Sequence, residues 1–124
     1  MRTACVGEAL SVPLLAGTLR AATHPLTRAV LQRIVQDEAP HARLGWLFLD
    51  WAADQLSDAE KARLSTVALD ALRTEAPTWQ SLGSRAEHGV TSEGYLLEHV
   101  HDLGWMESEA YAARAERAVR EDVV

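Results

Sequence analysis

Hydrophobic residues return along this chain at steps of three and four. Cys5, Val12, Leu15 and Leu19 form one such stripe over about residues 4–22, and Val30, Ile34, Leu44 and Phe48 form another over about 25–53. That spacing marks one face of a helix, and in the second segment the pattern predicts a buried one. Between them Thr23-His24-Pro25 supplies a capping residue and a proline suited to a first helical turn. "LSDAE" then places Ser57 and Glu60 at capping-box spacing for a third helix over about 58–75, which Pro77 should end. Gly83, Gly89, Gly94 and Gly104 punctuate a connection over 78–104 with one short helix near 92–100. Met106 to Glu121, rich in helix formers with acids in its first turn, predicts the last helix. The expected fold is all-α: an antiparallel hairpin over 1–56, with a C-terminal helical extension over 57–124 packing on it as one domain.

Composition narrows the picture further. The chain has 124 residues, room for one hydrophobic core. Its net charge is −6, and its Lys and Arg are scattered singly among acids, which argues against a nucleic-acid partner or a basic membrane anchor. Cys5 is the only cysteine and cannot form an internal disulfide. With no charged and apolar leader pattern at the start, a cytoplasmic protein is expected.

Both stripes carry residues that do not belong in a core. Stepping back from Leu19 through Leu15 and Val12 lands on Glu8, while Glu38 and His41 share the face of Val30, Ile34, Leu44 and Phe48. In a hairpin turning near residues 23–25, Glu8 falls level with both Glu38 and His41. Two buried carboxylates cost several kcal/mol per ion unless compensated, and neither stripe offers a Lys or Arg at that height. A hard cation would compensate them. Carboxylates with an imidazole suit iron, manganese or zinc, and the lack of a thiolate set disfavours a structural zinc site. Cys5 reads as a small core residue.

A helix with a lone inward Glu, followed about thirty residues on by Glu-x-x-His, resembles one half of the ferritin-like di-iron carboxylate four-helix bundles. Here the motif is Glu8 with "EAPH", Glu38 to His41. The resemblance covers about residues 3–53. It implies Glu8 and His41 as terminal ligands, Glu38 as a bridging ligand, and oxygen-dependent oxidation of iron or of another substrate as the activity. A dinuclear site of this type needs a second such half. That half would come from a second copy in a homodimer or from an upstream segment absent from this chain.

Two prolines interrupt the pattern. Pro13 and Pro40 each remove a helical amide within a turn of the candidate ligands, so the helices should either kink or break there, and a break at Pro40 would move His41 off the face of Glu38. A second Glu-x-x-His, Glu98 to His101, lies about 200° and 140° round from Leu96 and reads as solvated, as do His24 and His88. Trp46, Trp51, Trp79 and Trp105 read as packing anchors, and Gly17 and Gly45 as close-packing positions. No phosphate-binding glycine loop or Ser/His/Asp arrangement is recognisable. The alternative to a metal protein is a metal-free helical scaffold, in which Glu38 and His41 hydrogen-bond each other on a partly exposed flank.

Overall fold

The computed structural model describes residues 2–81 and 86–123. Among these residues the fold is all-α apart from one two-strand hairpin, as the patterning predicts. A π-helical segment, Arg2–Gly7, leads into α1 (Glu8–Ala21). Next come α2 (Pro25–Glu38) and α3 (His41–Ala52), a single 3-10 turn (Ala53–Gln55), and α4 (Asp58–Ser81). Strands β1 (Ala86–Glu87) and β2 (Val90–Thr91) pair antiparallel, Ala86 opposite Thr91. The short α5 (Leu97–Val100), a 3-10 turn and α6 (Ser108–Ala118) complete the chain, followed by a π-helical turn, Val119–Val123.

Local chemistry explains most boundaries. The capping box forms as its spacing predicts: the Ser57 amide donates to Glu60 Oε2 at 2.9 Å, its hydroxyl donates to the same oxygen at 2.6 Å, and the Glu60 amide returns to Ser57 Oγ at 3.4 Å. At the α1–α2 turn the N-cap is His24 in extended conformation, with Pro25 at the first helical position. Thr23 does not cap. Its hydroxyl bonds Asp102 Oδ1, while the amides of Thr23 and His24 both donate to the Asp102 carbonyl at 2.9 Å, tying this turn to the segment after α5.

Pro77 does not end its helix. It sits exposed inside α4, which continues to Ser81 and carries Trp79 into the core at 7% exposure. A mid-helix proline costs about 3 kcal/mol, and burying large apolar side chains returns about 1.5–3 kcal/mol each, so the docking of Trp79 and Ala76 offsets the lost bond.

The core is built on a stripe that the sequence reading passes over. Val6, Leu10 and Leu14, spaced four apart, face α4 and α6 and pack with Ala71, Trp79, Ala115 and Ala118. The stripe of Cys5, Glu8, Val12, Leu15 and Leu19 instead faces α2 and α3. Of these Cys5 is buried and the others are half-buried. Among the described residues, helices α2 and α3 rest on α1 and on the N-terminal segment. The expectation of a buried second helix is therefore overturned. Helix α2 has no buried residue, and Leu26, Val30, Ile34, Leu44, Leu47, Phe48 and Trp51 stand exposed along α2 and α3. The reason is geometric: one neighbouring helix can cover only one side of an amphipathic rod. Among the described residues no helix is long and apolar enough to cross a membrane.

Candidate metal centre

Glu8 opens α1, where the π-helical segment gives way to α-helix. Glu38 closes α2 and His41 opens α3. The antiparallel packing of α1 on α2 and α3 brings the three together: one ligand atom from each lies within 4.8 Å of the others. Glu8 and Glu38 are half-buried and His41 is exposed.

Pro40 breaks the helix without separating the pair. Ala39 and Pro40 keep right-handed helical dihedrals (φ −53°, ψ −39° and φ −65°, ψ −34°), so the step from Glu38 to His41 still makes one turn. The Pro40 carbonyl accepts from both Arg43 and Leu44 at 3.2 Å, which starts α3 directly behind the proline. His41 Nδ1 lies 2.9 Å from Glu38 Oε2. On α1 the helix passes through Pro13, and Ser11 Oγ donates to the Glu8 carbonyl at 3.0 Å.

Close packing sets the height of α1 against α3. A Cβ on Gly45 would stand 2.2 Å from the Ala4 carbonyl oxygen and 2.6 Å from Cys5 Sγ, so only glycine lets the N-terminal segment cross α3 there. Cys5 is 2% exposed, and its burial pushes the thiol pKa up, which suits a neutral core residue and not a thiolate ligand.

The field at the cluster favours positive charge. The hydrogen bond to Glu38 and then its charge raise the His41 pKa above the usual 6.5, with further contributions from Glu8 and Asp37. Asp37 pairs with Arg33 at 2.9 Å and adds to this field. Two carboxylates and an imidazole at this separation are a donor set that a divalent iron, manganese or zinc ion fits.

The remaining candidates lie elsewhere. Glu98 and His101 are both exposed; Glu98 has His99 at 3.7 Å and His101 has Asp102 at 3.9 Å, weak surface pairs. His24 and His88 are exposed in turns. Of the tryptophans, Trp79 anchors the core, Trp46 and Trp105 are half-buried, and Trp51 is exposed on α3 at 5.7 Å from Phe48 between ring centres. An apolar groove of about 790 Å³ runs beside them, one turn along from the cluster, with Leu44, Phe48 and Trp51 on one wall and Cys5 and Leu64 among its other lining. The exposed stripe on the second segment follows from the sequence, since one hairpin offers Val30, Ile34 and Phe48 too few partners; the groove is what sequence reasoning missed, because periodicity reports an apolar face and not what lies beside it.

The chain matches no protein-family model, and neither curated proteins nor solved structures provide a match.

Proposed function

We propose that this chain is a ferritin-like metal-binding protein in which Glu8, Glu38 and His41 hold iron, with manganese or zinc as the other ions their chemistry accepts. The observation that carries this reading is the convergence of the three ligand atoms within 4.8 Å, from residues thirty apart in sequence on packed antiparallel helices. Iron held there would supply redox chemistry for the oxygen-dependent oxidation of iron or of an organic substrate. The protein's own part is to hold two carboxylates and one imidazole together at a fixed height between α1 and the α2–α3 rod.

Three donors do not fill the coordination sphere of an iron, and a dinuclear site of the ferritin-like type draws on twice this set. The cluster lies along a rod that exposes Val30 (50%), Leu44 (63%) and Phe48 (60%). Apolar surface in a continuous stripe marks an interaction site. A second copy of the chain, docked by that stripe, would bring its own Glu8, Glu38 and His41 to the open side and complete the set.

The metal-free scaffold draws support from one observation: Glu38 and His41 already satisfy each other by a hydrogen bond. Anaerobic titration with ferrous iron separates the two readings. The metal protein takes up about one iron per chain and loses that uptake in Glu38→Gln and His41→Ala, whereas the scaffold takes up none.

A further inference from the structure

On another flank of α1, about 80° to 140° round the helix from Glu8 at 100° per residue, Pro13, Ala16 and Arg20 form one wall of a cleft of about 430 Å³. Its other wall is Arg114, Arg117 and Ala118 of α6, with Glu121 at the rim. We infer that this cleft binds a small organic phosphate through Arg20, Arg114 and Arg117.

Three features argue for a built site and not a chance meeting of surface charges. The chain is acidic overall, yet three guanidiniums meet one carboxylate here, leaving two positive charges in excess. Arg114 is laid across α1 at a glycine: a Cβ on Gly17 would come within 2.6 Å of Arg114 Cδ and 2.8 Å of its Nε. A mid-helix glycine costs about 0.5–1 kcal/mol relative to alanine, so the sequence gives up helix stability at the point where this arginine passes. Finally, Arg114 Nε is buried and has no hydrogen-bond partner among the described residues, although a buried charged donor is expected to find an acceptor. Arg117 is the partnered one, with Nε 2.9 Å from Glu121 Oε1.

The charge excess matches a phosphomonoester, which carries about −1.5 to −2 near pH 7 and accepts planar, forked donation from arginine. The volume exceeds that of a bare tetrahedral anion, and Pro13, Ala16 and Ala118 offer an apolar wall for the organic part. This reading is independent of the metal centre.

Thermal-shift and calorimetric titrations of the full chain test it with glycerol 3-phosphate, inorganic phosphate and succinate. Glycerol 3-phosphate should bind saturably and more tightly than inorganic phosphate, and succinate, of similar charge, should bind at least tenfold more weakly. Arg20→Gln, which alters an exposed side chain, should weaken binding about tenfold, the worth of one charged hydrogen bond. Arg114→Gln should abolish it, and Glu121→Gln should tighten it by freeing Arg117. No saturable binding up to about 10 mM, equal binding of succinate, or unchanged affinity in Arg20→Gln would each overturn the inference.

Discussion

His41 Nδ1 and Glu38 Oε2 face each other at 2.9 Å across a helix break made by Pro40. Their relationship ties the stability of the metal-free protein to pH. The folded-state pKa of His41 is raised above 6.5 by its bond to Glu38, so its contribution is full below the unfolded value and is lost as pH rises through the raised folded value. Lowering the pH from about 8 to about 6 should therefore stabilise the metal-free protein relative to His41→Asn in urea unfolding. A constant difference between the two across that range would show the pair to be inert. Metal binding should run the opposite way, weakening on acidification as the proton on His41 competes with the ion.

Gly45→Ala should destabilise the protein although alanine is the better helix former. The gain of about 0.5–1 kcal/mol in helix propensity is outweighed by a Cβ placed 2.2 Å from the Ala4 carbonyl oxygen, since overpacking costs typically about 1–3 kcal/mol. Because the N-terminal segment must lift off α3 to relieve the clash, Glu8 should move with it. Iron affinity should fall along with the melting temperature; unchanged affinity would mean that Glu8 is not held by this contact.

Much of the fold is legible in the sequence because helix starts carry local chemistry. Ser57 and Glu60 announce α4, and Pro25 announces α2, from residues that act on their immediate neighbours. Helix ends are less legible where tertiary packing decides: Pro77 signals a stop that the docking of Trp79 overrides. The candidate site was visible because Glu8, Glu38 and His41 interrupt an apolar period, and the height argument needs only a hairpin with a short turn. What periodicity could not supply was the partner of each face. Val6, Leu10 and Leu14 and the stripe through Glu8 are both regular, and only the positions of α4 and α6 tell core from flank.

Pro77 offers a separate check on the fold. Alanine in its place restores an amide for the carbonyl of Arg73 and removes a penalty of about 3 kcal/mol, against the roughly 0.4–1 kcal/mol by which proline restricts the unfolded chain. Pro77→Ala should stabilise the protein by about 2 kcal/mol in urea unfolding. Destabilisation would mean that α4 does not continue through this position.

The exposed stripe predicts self-association. With Phe48 at 60% exposure and Trp51 at 69%, sedimentation should show a dimer at micromolar concentration, and Phe48→Glu or Trp51→Glu should return it to monomer. A wild-type chain that stays monomeric at high concentration would remove the second copy from the account of the metal centre.

The most direct test of the metal centre is to locate the ion. Crystals grown or soaked with ferrous iron without oxygen should show anomalous scattering at the iron edge within about 2.0–2.3 Å of carboxylate oxygens of Glu8 and Glu38 and a ring nitrogen of His41, and none in Glu38→Gln. Iron bound elsewhere, or the Glu38–His41 hydrogen bond intact and no anomalous peak between α1 and the α2–α3 rod, would contradict the account.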